Sequence, residues 1–221
     1  MGYKVDNVPI DSLLLNMFEA SGMVFKIFFL TIIMSIPLGF IVAFARRSRF
    51  KIINIPTRIY QLVFRGTPLM LQLYFFMYGP HYLFNFSFGR FNACIIAFVV
   101  NYAAYFGEIF RGGIAAIPKG QYEAAKVLGY NKFQTFMRIV LPQVIKHVIP
   151  ATGNEFMTLV KDTSLAQVIS VAEIFNVATN ATSRYFSTVP LIVAGIFYLV
   201  MNTVVELSFK MAEKKLNYYN S

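Results

Sequence analysis

From Ile27 to Ala45 the chain carries no charged side chain, and the same holds from Ser187 to Val205. A helix needs about 20 mostly apolar residues to cross a bilayer, so each run is long enough. Phe91–Gly107 is uncharged too, and Gly66–Pro80 continues an apolar run that begins near Pro56. A fifth run, His147 to about Ser170, is interrupted by Glu155, Lys161 and Asp162. The rival reading is a large soluble helical core. With 57% hydrophobic and only 14% charged residues, the composition lies outside the soluble range. The expected fold is an all-α integral membrane protein of one domain, residues 1–221. Its five transmembrane helices are expected at about 23–45, 56–79, 91–109, 147–170 and 187–209.

The first 22 residues include Asp6, Asp11 and Glu19, and the first apolar run is too long for a signal peptide, so no cleavable leader is expected. Asp11–Phe25 is expected as a short helix at the outer interface. The single cysteine, Cys94, sits in an apolar run, which excludes an intrachain disulfide or a cysteine zinc cluster and suits a small buried hydrophobe.

A formal charge of +10 could suggest nucleic acid, so its placement matters. With five spans, loops 46–58 and 111–146 and the tail from 210 share one side and hold fourteen of the twenty Lys and Arg. The opposite side holds Lys4, Arg90 and Arg184. The positive-inside rule makes the basic side cytoplasmic, with the N-terminus outside and the C-terminus inside. The charge reports topology, and nothing supports nucleic-acid binding.

Ionisable groups at membrane depth are costly and usually face protein or an aqueous path. In span 2, Gln61, Arg65 and Gln72 fall near one helical face, and Gly66-Thr67-Pro68 should weaken or break the helix. Such breaks are tolerated where they line a cavity or pack on protein. In span 3, Asn101, Tyr105 and Glu108 share a face, with Arg111 one turn on and placed for an ion pair. In span 4, Glu155 and Asp162 lie i, i+7, about 20° apart in projection; Asn154 and Lys161 repeat the spacing, with Thr158 between. Each stripe alone reads best as an interhelical clamp, and Lys161–Asp162 as a neutralising pair. Three together point to a polar passage. Glu155, with no cation one turn away, is the candidate for meeting a positive group on a solute.

The longest basic loop, about 118–142, has the punctuation of two short helices. Pro118 suits a first turn, Ala124, Ala125, Lys126 and Leu128 are strong helix formers, and Gly129 suits a left-handed terminus. Asn131 and Gln134 have capping-box spacing. Phe133, Phe136, Met137 and Val140 would form one apolar face, and Pro142 would end the element. This hairpin lies on lipid headgroups or docks a cytoplasmic partner; residue chemistry leaves both open.

"EAAKVLG" followed after nine residues by "IVLP" resembles the EAA loop of membrane subunits from ATP-binding-cassette (ABC) importers. The match lies at Glu123, Ala124, Ala125, Gly129, Ile139, Leu141 and Pro142. "FRGTPLMLQLYFF", "NYAAYFGEIFRGGIAAIPKGQYEAA" and the stretch from Leu128 to Leu165 resemble polar amino acid permeases of the histidine and glutamine type. The likeness spans about Phe64 to Phe175. One departure is Glu155, where that family often has a neutral Gln.

The resemblance implies a type I ABC importer transmembrane domain in a bacterial cytoplasmic membrane. Glu123, Ala124, Ala125, Gly129, Leu141 and Pro142 would couple it to a dimer of cytoplasmic ATPases. A second permease subunit, identical or homologous, would complete the pathway, and an extracytoplasmic amino acid-binding protein would deliver the solute. The pathway candidates are Arg65, Thr67, Asn101, Tyr105, Glu108, Glu155, Thr158, Lys161 and Asp162, for a polar amino acid with a cationic one slightly favoured. The chain has no GxxxxGK[ST] loop, so ATP and Mg would bind the partner ATPase, with no cofactor or metal here. The alternative is an ion-coupled secondary transporter working without an ATPase. A membrane hydrolase is disfavoured because His81 and His147 fall near opposite faces and Cys94 lacks polar neighbours. A pure scaffold would leave the deep charges of span 4 without a purpose.

Overall fold

The computed structural model describes residues 8–217; Lys4, Asp6 and the extreme ends of the expected domain lie outside them. The described residues form nine α-helices, one π-helical turn and one 3-10 segment. The first helix, α1, runs unbroken from Ile10 to Arg46. At about 1.5 Å per residue it is roughly 55 Å long. The expected separate interfacial helix over Asp11–Phe25 is therefore the N-terminal part of α1. Nothing between the two stretches breaks a helix, and Pro37 is absorbed within it.

Span 2 is divided into α2 (Lys51–Gly66) and α3 (Leu69–Phe84). Pro68 lacks an N–H and disfavours helical geometry in the residue before it, and Thr67 is extended at φ −116°, ψ 147°. Helix α4 (Arg90–Ala116) is the buried centre of the fold and packs along α1 over the most extensive helix interface. Next come α5 (Lys119–Val127) and α6 (Lys132–Thr135), then a π turn at Phe136–Val140 that leads directly into α7 (Leu141–Asp162).

Pro142 therefore does not end the hairpin. A proline at the start of α7 cannot donate to the preceding turn, and the wider π turn accommodates the loss, so the chain stays helical from Lys132 to Asp162. That turn also shifts the register of the expected apolar face. Val140 is buried, whereas Phe133 (73% exposed) and Met137 point outward. Beyond Asp162 the α-helix tightens into a 3-10 segment, Thr163–Ile169, so the fifth expected run is also composite. Helices α8 (Ile174–Tyr185) and α9 (Val189–Asn217) complete the described chain.

Among the described residues, three helices are long and apolar enough by themselves to cross a membrane: α1, α4 and α9. The other two expected spans, 56–79 and 147–170, fall on the broken α2–α3 pair and on charged α7 with its 3-10 continuation. One core cluster runs along α1, α4 and α7, centred on Phe98, Tyr102 and Phe106. A second joins Leu13, Met17 and Val24 of α1 to Ile174 and Ala178 of α8 and Ala194 of α9.

Candidate functional site

The break between α2 and α3 frees backbone carbonyls that must find donors inside the protein. The Gln72 amide nitrogen donates to Phe64 O (2.9 Å), Thr67 O (3.1 Å) and Thr67 Oγ1 (2.9 Å). Asn101 Nδ2 on α4 donates to Phe64 O and to Gln72 Oε1, each at 2.9 Å. Gln72 and Asn101 are buried, and together they hold the break shut. Asn101, expected on the pathway, is thus placed inside this clamp, with its amide nitrogen already engaged. Thr67 is shared between roles: its side chain is exposed but its hydroxyl donates to Val63 O.

A second clamp ties α1 to α2 and α4. Arg46 Nε donates to Gln61 Oε1 (2.9 Å), and Gln61 Nε2 to Ala104 O (3.2 Å). Arg46 also donates to Asn54 Oδ1 (3.1 Å), and the Asn54 amide returns a bond to Arg46 O. Sequence periodicity placed Gln61, Arg65 and Gln72 on one face. The break sets Gln72 on α3 apart from Gln61 and Arg65 on α2; Gln61 and Gln72 are buried and Arg65 is exposed.

The remaining charges gather where α2, α4 and α7 meet. Arg65 lies over the Tyr105 ring at 5.3 Å from its centroid, a cation–π contact. The Tyr105 and Tyr102 rings are 6.3 Å apart, and the Tyr102 hydroxyl donates to Asp162 Oδ2 at 2.8 Å. Asp162 is therefore held by Tyr102; Lys161 makes no ion pair with it within 4.0 Å but stays within its electrostatic reach. Lys161, Asn154 and Thr158 are exposed, so the polar sector of α7 faces outward from the chain. Glu155 is half-buried, makes no hydrogen bond or ion pair among the described residues, and lies within electrostatic reach of Arg65 and Asp162. Glu108 and Arg111 form the expected pair, with contacts of 2.5 and 2.9 Å. Beside them Arg46, Arg58, Gln61 and Arg65 line a cleft of about 380 Å³.

Sequence reasoning missed Tyr102, Arg46 and Arg58, which reach this face from positions that no single-helix stripe marks. It also missed Glu173, fully buried at the start of α8. Its carboxylate accepts from Phe175 N (2.8 Å), Asn176 N (2.7 Å) and Tyr198 Oη (2.6 Å), fixing α8 against α9. Burial pushes its carboxyl pKa up from the ordinary range, against the opposite pull of these bonds. The only local signal was an acidic residue in N-cap position before an apolar stretch.

At the other end of α7 the hairpin is locked by local bonds. Gly129 takes φ +78°, and the Gly129 and Tyr130 amides donate to Lys126 O (3.1 Å) and Ala125 O (3.0 Å), a Schellman closure. Asn131 Oδ1 accepts from Gln134 N (2.9 Å) while Gln134 Oε1 accepts from Asn131 N (3.0 Å), completing the capping box. Glu123, Ala124, Gly129 and Pro142 are exposed and Leu141 is half-buried, whereas Ala125 is fully buried beneath the hairpin. Val127 (87% exposed) and Leu128 (72%) form an uncovered apolar knob beside Gly129 that the sequence reading did not single out.

Residues 35–218 match the family described as the inner membrane component of binding-protein-dependent transport systems. The octopine transport system permease protein OccM of Rhizobium radiobacter is 37% identical over 194 residues, covering 82% of this chain and 79% of that protein. The arginine transport system permease protein ArtQ of Bacillus subtilis (strain 168) is 35% identical over 199 residues, covering 90% and 91%. A crystal structure of an amino acid ABC transporter with histidines matches at a TM-score of 0.87 and 30% identity, covering 96% of this chain and 99% of that one.

Proposed function

We propose a mechanism from one premise: this chain belongs to the family of inner membrane components of binding-protein-dependent transport systems. It is a permease subunit of a polar amino acid ABC importer, a multi-pass protein of the inner membrane. The finer reading has five crossings, with α2–α3 and α7 with its 3-10 continuation as the two composite ones. The N-terminus is outside, and the C-terminus and hairpin are cytoplasmic, because most Lys and Arg then face the cytoplasm. A partner ATPase dimer binds the nucleotide and Mg. An extracytoplasmic binding protein delivers the solute, and a second permease subunit closes the pathway.

The observation that carries the coupling reading is continuity. The second arm of the hairpin, the π turn and α7 form one helical rod from Lys132 to Asp162, with the exposed knob at one end and Glu155 and Asp162 at the other. An ATPase that grips Glu123, Ala124, Val127, Leu128 and Gly129 moves the rod as a body. Ala125 anchors the hairpin from beneath, and Leu141 and Pro142 sit at the joint. The displacement tilts the α7 face relative to α4 and shifts the pathway between two states.

On that face Glu155 meets the amino or cationic group of the solute, and Arg65 its carboxylate. Tyr105, Glu108, Thr158, Lys161, Asp162 and the Thr67 corner shape the passage, with Asn101 as its support. An ion-coupled transporter without an ATPase does not account for the family or for the locked hairpin.

Gly129→Val tests the coupling. A β-branched residue in the left-handed region costs about 1–2 kcal/mol or more, and a side chain there meets only open space. Reconstituted with its ATPase and binding protein, the variant should lose ATP-driven uptake while the permease melts nearly as before. Gly129→Asn, which tolerates that conformation, should retain most uptake. Wild-type coupled uptake in the valine variant would overturn the reading.

A further inference from the structure

Between the hairpin and the ends of α1 and α4 lies a pocket of about 700 Å³, within the size range of small-ligand sites. Three elements that are distant in sequence enclose it. Phe44, Ile114 and Phe136 supply apolar walls, with Phe44 edge-on to Phe136 at 5.5 Å. Arg47, Lys126 and Lys132 bring three cations, and no acidic side chain lines the pocket. Among the described residues none of the three cations has a side-chain hydrogen bond or ion pair. Tyr122 and Tyr130 add two phenols whose hydroxyls make no hydrogen bond among the described residues.

A pocket with cations at its mouth and aromatic and aliphatic walls at the end of two apolar helices suits an amphiphile. The apolar ends of α1 and α4 set it where acyl chains give way to headgroups. Basic residues at a cytoplasmic surface attract anionic lipid, each contributing modestly and additively. We propose that this pocket binds the phosphate-bearing headgroup of an anionic phospholipid from the cytoplasmic leaflet. The phosphate sits among Arg47, Lys126 and Lys132, the tyrosine hydroxyls meet the glycerol oxygens, and the first methylenes lie on Phe44 and Phe136. The assignment rests on the hairpin end being cytoplasmic. It leaves the ATPase-facing residues free, because Glu123, Val127, Leu128 and Gly129 do not line the pocket. The bound lipid braces the hairpin against α1 and α4.

The test uses the assembled permease–ATPase complex, purified from mixed phosphatidylglycerol and phosphatidylcholine, with retained lipid read by native mass spectrometry. The wild type should favour phosphatidylglycerol by on the order of tenfold or more. R47Q/K126Q/K132Q should bring the ratio near parity, and R47Q alone, outside the hairpin and harmless to its fold, should lower it partway. R49Q/K51Q/K119Q, which removes one arginine and two lysines outside the pocket, should retain the preference. Equal loss in the control, or no preference in the wild type, would overturn the proposal. Displacement of the lipid by millimolar glycerol 3-phosphate or inorganic phosphate would instead reassign the pocket to a soluble anion and overturn the lipid. Retention does not depend on sidedness, so labelling of an Arg49→Cys variant from each side of the membrane reads the topology separately.

Discussion

The seam between α1 and α4 and the face shared by α2, α4 and α7 are both contacts between membrane helices, yet they are built in opposite ways. On α1 the buried positions Thr31, Ser35, Gly39 and Ala43 recur every four residues, a stripe of small side chains. It lets the helices approach until a Cβ on Gly39 would stand 2.6 Å from Phe106 Cβ and one on Gly107 would fall inside Val42. Lipid chains are as apolar as the helices, so such a seam holds by close packing rather than by a hydrophobic drive. The other face is left open. Arg65, Thr158 and Lys161 are exposed and Glu155 makes no hydrogen bond or ion pair among the described residues, a costly arrangement unless a solute or water occupies it. The difference separates what holds the domain together from what it offers to a ligand.

Four substitutions probe that division. Gly107→Leu should break the seam outright: overpacking costs about 1–3 kcal/mol and here strikes the α1 wall as well as Gln61, so little monodisperse protein should survive detergent extraction. Gln72→Leu should cost nearly as much by another route. It removes the donor to Thr67 O and leaves Phe64 O and Asn101 Nδ2 with only each other, about 1–3 kcal/mol for a polar group left without its partner, and should lower the thermal midpoint without altering the hairpin. Glu155→Gln belongs to the open face and should leave the melt almost unchanged. It should shift uptake away from cationic toward neutral amino acids by roughly tenfold, the worth of one charged hydrogen bond; unchanged selectivity in reconstituted vesicles would place Glu155 outside the solute path. Tyr102→Phe sits on the border. Losing one bond to Asp162 should cost about 0.5–1.5 kcal/mol, a small drop in midpoint with a modest change in uptake rate.

Much of the hairpin was legible because its signals are local. Gly129 needs a positive φ, and Asn131 and Gln134 satisfy each other across three residues whatever the rest of the chain does. The break at Thr67-Pro68 was legible for the same reason, since a missing N–H and a crowded preceding residue act within one turn. The small stripe of α1 was also present in the sequence, at every fourth position, but within a run without charges nothing local distinguishes a packed face from a lipid-facing one. The π turn was not legible. Its register shift exposes Phe133 and Met137 and depends on how α7 must enter the bundle.

The sequence by itself determined that this chain is a set of membrane helices with a rigid polar hairpin, because bilayer-length apolar runs, prolines and caps act through neighbouring residues. Only the tertiary structure decided which polar side chains are spent and which are free. Periodicity assigns a residue to a face but not to a neighbour. Asn101 and Glu155 look alike as polar residues at membrane depth, and they part company because Asn101 meets the opened end of α2 while Glu155 makes no hydrogen bond or ion pair among the described residues.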